Sequence, residues 1–524
     1  MCAPSGGMEN NFPRRMAARD TFLLFLASTL YVVGYPPIGW WPLSFIGFSI
    51  FLRLVCAEHR NVRQTGYCFF VFCFGCYLLG FYSIAVGLQN LFDLGWIPSL
   101  SFTLLFCAAY AGIGTLGGIL WGIISNLIRS IAPRHKKSYL ALFYGFLLLW
   151  VTFTPKPANW DYHTVIGAND WLLSSVSILG TGGWKAIFLL TSIALAALTL
   201  KQPRWLLATK SVSILGFVLL VGGSIGYYNR QQLQAEYIDF HPVSLIQDNT
   251  FITKREMNEN DGRNYFGHLV KTTAVHQRLV REIAEHYSAH SSSKPQTREP
   301  WVIWPENSML TDIINDRNAR VRASNWAAKT GGLHFVGGSE LLTINVGEKQ
   351  HPGRYNVVAQ FSKDGYINHY RKQIPIPWGE YVPGGKLFPK VYELIPDHYI
   401  SIPSKEFTVL EDGTPDGPIF MPIICYEILF ADHLHRFVET AKERYPGRPI
   451  ILLHLASDGW FGNTTNPYFQ ALAARWQAAA LRLPLIRVSN TGFSQVVSPA
   501  GEVLHTGPRN QQLVIFGEVP LPAS

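Results

Sequence analysis

The sequence predicts a membrane α-helical bundle joined to an α/β layered domain. Three observations predict it. Of 524 residues, 48% are hydrophobic and only 15% charged, with the apolar excess in the first 230; ordinary soluble domains carry about a quarter charged residues. From Val243 onward, short runs rich in branched residues alternate with amphipathic stretches, as strands alternate with helices in layered α/β domains. Finally, many basic residues of the first half sit in short loops between apolar segments.

Seven apolar segments are expected: Thr21–Gly39, Trp40–Val55, Tyr67–Leu88, Ile97–Ile128, Tyr139–Phe153, Gly183–Leu200 and Leu206–Tyr228. A bilayer crossing needs about 20 apolar residues, so the second and fifth are short. The interrupted stretch Trp171–Gly180 reads as a re-entrant or interfacial piece. Arg14, Arg15 and Arg19 precede the first segment, Arg53, Arg60 and Arg63 follow the second, Arg129, Arg134, Lys136 and Lys137 follow the fourth, and Lys201, Arg204 and Lys210 follow the sixth. Asp93, Asp161 and Asp170 occupy the alternate loops, with Lys156 and Lys185 as their basic residues. By the positive-inside rule the N-terminus is cytoplasmic, and seven crossings place everything after Tyr228 outside. Acidic residues are nearly absent from the apolar segments, which argues against an ion-coupled transporter. The net charge of +9 follows membrane topology; a nucleic-acid binder gathers its cations on one face, so no nucleic-acid partner is expected.

In the second half, Val243–Gln247, Trp301–Trp304, His334–Val336, Asn356–Phe361, Ile419–Ile424, Ile450–His454 and Leu485–Val488 read as strands. Val275–Tyr287, Asn315–Lys329, Ala431–Arg444 and Pro467–Leu483 read as helices, and Ser288–Glu299 as an exposed loop. Six of the seven cysteines lie in the first half; Cys68, Cys73 and Cys76 are in an apolar run, where cysteine acts as a small hydrophobe, and no metal site is expected. Cys425 is alone in its half, so it is either an inert buried residue or a reactive thiol.

Three motifs carry chemistry. WVIWPENS places Glu306 just after a strand, HYRKQIPIPWGEYVP holds Lys372 and Glu380, and MPIICYEILF puts Cys425 at a strand end with Glu427 two residues on. Singly, each has a plain reading: a capping carboxylate, a surface lysine, a small core residue. Together they offer what a thiol attacking a carbonyl requires. That is a base for its proton, a cation or donor where the oxyanion develops, and strand ends that bring them within reach.

In this order and spacing the motifs resemble the nitrilase superfamily. With the apolar first half, and with YPPIGWWPL, SLIQDNT, SDGWFG and RVSNTGFS, the chain resembles the apolipoprotein N-acyltransferase family over nearly its whole length. The resemblance implies a nitrilase-like αββα sandwich. It divides the chain into a transmembrane domain of about seven helices over 1–228, a connector at 229–242, a periplasmic catalytic domain over 243–518, and a tail at 519–524 without a further transmembrane helix. It implies Glu306 as general base, Lys372 as oxyanion stabiliser, Cys425 as nucleophile and Glu380 as the carboxylate orienting Lys372. Tyr426, Glu427, Trp460, Phe461 and Trp378 fall at substrate-binding or supporting positions. His454, isolated on an apolar strand, is expected to pack.

The implied enzyme is a phospholipid-dependent acyltransferase of the bacterial inner membrane, acting through a cysteine thioester without metal or organic cofactor. The donor is a phospholipid, the acceptor the N-terminal diacylglyceryl-cysteine of an apolipoprotein, and the protein a monomer. The sequence departs from the family at NPYFQALAARWQAAALRL, which lacks a Gln-His pair and a glutamate, at ITKREMNEN, which lacks a tryptophan, and at Asn307 after Glu306. Two other readings stand beside this one: a membrane-tethered amidase using the same trio with water, and a non-catalytic membrane scaffold derived from the enzyme.

Overall fold

The computed structural model describes residues 18–522 apart from 57–59, 132–135, 157–160, 199–203, 252–262, 292–297, 310, 347–348, 386, 389 and 391–399. Arg14, Arg15, Arg134, Lys201 and the ITKREMNEN stretch lie outside the described residues. Up to Glu236 these residues form helices α1 (Ala18–Val33), α2 (Trp41–Val55), α3 (Val62–Phe81), α4 (Ser83–Phe92), α5 (Trp96–Ile131), α6 (Lys136–Phe153), α7 (Asp170–Ser174), α8 (Val176–Leu198) and α9 (Arg204–Glu236).

Four helical stretches are long and apolar enough to cross a membrane: Val62–Phe81, Trp96–Ser130, Val176–Leu198 and Lys210–Glu236. Trp41–Val55, Ser83–Phe92 and Ala141–Phe153 are apolar but shorter. The third expected segment is divided at Tyr82 into α3 and α4, and α4 packs on α5 and on the turn Asp458–Phe461. The interrupted stretch is α7 and the start of α8, which bends at Gly180 (φ 70°). Leu172, Leu173 and Val176 in that stretch are fully buried, so it belongs to the bundle core.

The bundle closes around stacked aromatic rings, Phe51 on Phe72 and Phe48 on Tyr162 among them. At one end Arg60, before α3, pairs with Asp20 of α1 at 2.9 Å. At the other end Lys156 and Lys185 meet Asp161 at 2.7 and 3.2 Å, and here the second half of the chain docks. Arg475 pairs with Asp170, Arg230 of α9 with Glu502 at 3.3 Å, and Ser174 donates to the carbonyl of Ala500.

No separate connector intervenes. The polar run Gln231–Glu236 is made of good helix formers, so α9 continues to Glu236, and strand β1 (Asp239–Gln247) starts at once. The other strands are β2 (Trp301–Ile303), β3 (Leu333–Val346), β4 (Lys349–Ser362), β5 (Gly365–Arg371), β6 (Ile400–Ser401), β7 (Leu410–Glu411), β8 (Ile419–Ile424), β9 (Ile450–Ala456), β10 (Leu485–Ser489), β11 (Gln495–Val497), β12 (Val503–Thr506) and β13 (Leu513–Leu521). One sheet has the order β13-β1-β2-β3-β4-β5, with β6 on β4; the other is β12-β11-β10-β9-β8-β7. β1, β2 and β3 are parallel neighbours, as are β8, β9 and β10. Strand β13 runs through the expected tail to Leu521, paired antiparallel with Asp239 of β1.

Alternation along the strands sorts side chains between two cores. Val243, Leu245, Trp301 and Ile303 meet Phe420, Leu452 and Ile486 of the second sheet. Ile246, Val302 and Trp304 face the other way, onto Leu279 and Ile283 of helix Arg263–Ser291 and Ala323 and Trp326 of helix Arg317–Thr330. Helices Ala431–Arg444 and Asn466–Leu481 supply Leu434, Val438, Ala474 and Ala478 on the second sheet's side. The result is the expected αββα sandwich. The first of its helices extends through the beginning of the expected loop, to Ser291.

Helix Asn466–Leu481 serves both halves. Ala474 and Ala478 pack into the sandwich, whereas Leu472, Trp476 and Ala479 belong to the bundle core.

Candidate active site

Three strand ends deliver the expected trio. Trp304 N–H donates to Phe335 O, and Ser308 Oγ donates to Pro305 O, which fixes the turn bearing Glu306 after β2. Gly337 on β3 permits that turn: a Cβ there would lie 2.2 Å from Pro305 O. Lys372 follows β5 directly, and its N–H extends the ladder to Asn356 O at 2.8 Å. Cys425 follows β8 with φ 51°, a left-handed conformation that costs a non-glycine residue roughly 1–2 kcal/mol. A surrounding structure must enforce such a backbone.

The side chains converge out of water: Glu306, Lys372, Glu380 and Cys425 are 6%, 1%, 7% and 2% exposed. Lys372 Nζ stands 2.8 Å from Glu380 Oε2 and 3.7 Å from Glu306 Oε1. Asn356 Nδ2 donates to Glu306 Oε1 at 2.5 Å and lies 3.5 Å from Glu380 Oε1. Glu380 Oε2 also accepts from Ile376 N–H at 2.6 Å. Glu306 Oε2 is buried and accepts no hydrogen bond among the described residues, so one oxygen of this carboxylate is left for a proton.

Electrostatics separate the two carboxyls. Burial lifts Glu306 above the ordinary carboxylate range, and Glu380 adds to the lift against the pull of Lys372 and Asn356. Burial acts on Glu380 the same way, but Lys372, Arg354 and the Ile376 amide outweigh it and hold that carboxyl low. Lys372 is raised: burial opposes its charge, and Glu380, Glu306 and Cys425 overcome burial. The Cys425 thiol is pushed up by burial first and by Glu306 next, with Lys372 acting the other way. The site therefore holds a fixed cation, a fixed anion, a proton-seeking carboxyl and a thiol that needs a base.

Glu427 lies beside this centre as a brace. Its Oε1 accepts from Tyr370 Oη (2.9 Å), Gln373 N (2.7 Å) and Ile374 N (3.0 Å), and its Oε2 accepts from Ile424 N (2.7 Å). Trp378 is half-exposed at φ 65° and meets Phe102 of α5 edge-on, with ring centroids 6.1 Å apart. Trp460 packs on Phe251, and its carbonyl accepts from Asn90 of α4 at 3.0 Å. A Cβ on Gly87 of α4 would lie 3.4 Å from the ring of Phe461. Tyr426 feels Tyr110 of α5 and Tyr381. The membrane-side helices α4 and α5 thus border the site's loops.

Sequence reasoning missed Asn356, which joins the two carboxyls; a polar residue heading the apolar run NVVAQF was the available signal. It missed the pair Arg487 and Asp458, fully buried and 2.8 Å apart, which joins β10 to the turn Asp458–Phe461. His454 does pack within the core, and its Nε2 lies 3.1 Å from Cys425 O.

Residues 321–523, most of the sandwich, match the family model described as carbon-nitrogen hydrolase. Lys372, Glu380 and Cys425 fall inside the matched residues, and Glu306 lies before them. Along nearly the whole chain there are also curated relatives. An apolipoprotein N-acyltransferase of Agrobacterium fabrum is 25% identical over 91% of this chain and 85% of its own. One of Rhodopseudomonas palustris is 25% identical over 96% and 90%, and one of Bdellovibrio bacteriovorus 25% identical over 94% and 87%. The chain is similar, in both its helical and its sandwich half, to proteins named apolipoprotein N-acyltransferase.

Proposed function

We propose that this protein transfers an acyl chain from a phospholipid to the α-amino group of the N-terminal diacylglyceryl-cysteine of an apolipoprotein, through a thioester on Cys425. The observation that carries the reading is Lys372 Nζ held between Glu380 and Glu306 at 2.8 and 3.7 Å, beside a thiol that ends a strand.

In the first half-reaction Glu306 takes the Cys425 proton and the sulfur attacks the ester carbonyl. The developing oxyanion faces the Lys372 ammonium. Collapse breaks the ester C–O bond, Glu306 returns the proton to the leaving alkoxide, and a lysophospholipid departs. In the second half the acceptor amine attacks the thioester and gives a proton to Glu306; the C–S bond breaks, and the thiolate recovers the proton. Glu380 keeps Lys372 charged and in place. Trp378, Tyr426, Trp460 and Phe461 supply apolar surface where acyl chains enter from α4 and α5. Glu427 supports the backbone.

The protein works as a multi-pass monomer in the bacterial inner membrane, with the catalytic half periplasmic. In favour of that orientation, Arg60 and the Asp20 end of α1 lie at the far end of the bundle from the docked domain. The test is intact-mass measurement of the purified full chain with an alkyne-tagged phosphatidylglycerol, then with a synthetic diacylglyceryl peptide. The expected result is an acyl adduct on Cys425 that disappears as the peptide gains the chain. A wild-type protein giving no adduct, or releasing free fatty acid in preference to N-acyl peptide, overturns the reading, the second result in favour of a tethered hydrolase.

A further inference from the structure

Cys425 carries an unfavourable left-handed backbone (φ 51°), and the groups of the proposed reaction leave its carbonyl unassigned. His454 on β9 does reach it. The ring is fully buried, with Nε2 3.1 Å from Cys425 O. Arg487 on β10 places Nη1 2.9 Å from Nδ1 and 3.2 Å from Nε2. The same guanidinium donates through Nη2 to Asp458 Oδ2 at 2.8 Å and through Nε to Phe493 O at 3.1 Å. Ser489 Oγ completes the set on Asp458 Oδ2 at 2.9 Å. Gly492 allows the approach, since a Cβ there would lie 1.7 Å from Asp458 Oδ2.

We propose that His454 is a positioning residue for the nucleophile, holding the Cys425 carbonyl through Nε2–H while Arg487 and Asp458 hold the ring. The reading rests on Cys425 being the nucleophile. A carbonyl oxygen accepts, so Nε2 must donate, which leaves the Nδ1 lone pair to the guanidinium. Burial and the neighbouring Arg487 both disfavour the imidazolium, which keeps the ring neutral. Asp458 also opens the turn Asp458–Phe461, whose Trp460 and Phe461 meet Asn90 and Gly87 of α4. The chain of contacts therefore runs from a membrane-side helix to the backbone of the reactive residue, and none of its three polar side chains takes part in the proton and acyl transfers.

The experiment compares His454→Leu, His454→Gln and Asp458→Asn in the full detergent-solubilised chain. Acyl-adduct formation from alkyne-tagged phosphatidylglycerol gives kcat and KM, iodoacetamide gives the alkylation rate of Cys425, and melting verifies folding. Leucine keeps the bulk and removes the donor, whereas glutamine places an amide N–H near Nε2. The expected result is a kcat loss of about tenfold to a hundredfold in His454→Leu at unchanged KM, with His454→Gln recovering most of it. Equal rates for the leucine and glutamine proteins overturn the proposal, because the ring then only fills space. Should His454→Leu fail to fold, Asp458→Asn decides: a lowered kcat with intact KM supports the relay, and wild-type kcat refutes it. Prompt adduct formation in every variant refutes the relay alone. Absence of any adduct in wild type refutes the parent reading as well.

Discussion

Glu427 accepts a 2.7 Å hydrogen bond from the backbone N–H of Gln373, and so the segment that delivers the cation is fastened to the segment that delivers the thiol. The same carboxylate holds Ile424 N–H, one residue before Cys425. A glutamate two residues past Cys425 therefore ties the backbone before Cys425 to the backbone after Lys372.

Replacing it by glutamine turns one acceptor into a donor that faces buried N–H groups. Glu427→Gln is expected to cost about 1–3 kcal/mol for the donors left unpaired. Melting should fall by several degrees, and adduct formation should slow in the protein that remains folded. A melting profile and adduct rate equal to wild type would show that the brace is dispensable.

Glu306→Gln removes the proposed base and is expected to slow acyl-adduct formation by about a hundredfold or more, with lipid binding retained. In wild type, burial and Glu380 keep Glu306 above the ordinary carboxylate value of about 4.3. Activity should therefore fall, as pH drops, at a pH above that value. The acidic limb of the rate profile should vanish in the variant. A limb that persists in Glu306→Gln would assign the titration to another group.

The two carboxyls carry opposite linkage to stability. Glu380 is lowered, so its contribution is present above the ordinary carboxylate pKa and is lost as pH falls through its folded value. Glu306 is raised, so its contribution is present below the ordinary pKa and is lost as pH rises through its folded value. Lys372→Met leaves both carboxyls without their cation, at a cost of about 3–5 kcal/mol. Part of that loss should return at acidic pH, where the carboxyls protonate. Melting measured across pH checks this; a loss independent of pH would contradict it.

Gly337→Ala drives a Cβ to 2.2 Å from Pro305 O and 2.7 Å from the Cα of Glu306. Overpacking of this kind costs about 1–3 kcal/mol and displaces the base. Adduct formation should fall more than melting does. An unchanged rate would mean that the turn moves freely.

Some of this architecture was legible in the residues and some was not. Strand β8 and helix Ala431–Arg444 fall where the pattern puts them, because their apolar and amphipathic runs are uninterrupted. The strands that lead to Glu306 and Cys425 were legible as apolar runs, whereas β5, which leads to Lys372, was not, its residues being mostly polar or aromatic. The break between α3 and α4 was not, since Tyr82 and Ser83 interrupt no apolar run; α4 meets a loop 370 residues further along the chain, at Trp460. Strand β13 was missed because its partner is the first strand of the domain, a pairing that local periodicity does not encode. His454 looked isolated because both of its neighbours, Cys425 and Arg487, come from other strands.

Helix Asn466–Leu481 contributes to the sandwich through Ala474 and Ala478 and to the bundle through Leu472, Trp476 and Ala479. A fragment beginning at Asp239 would keep the chemistry and uncover an adhesive strip along this helix. Such a fragment would self-associate rather than behave as a free-standing hydrolase. The anchor is consequently no exchangeable tether: swapping it for a foreign hydrophobic segment would also require redrawing one flank of the catalytic unit.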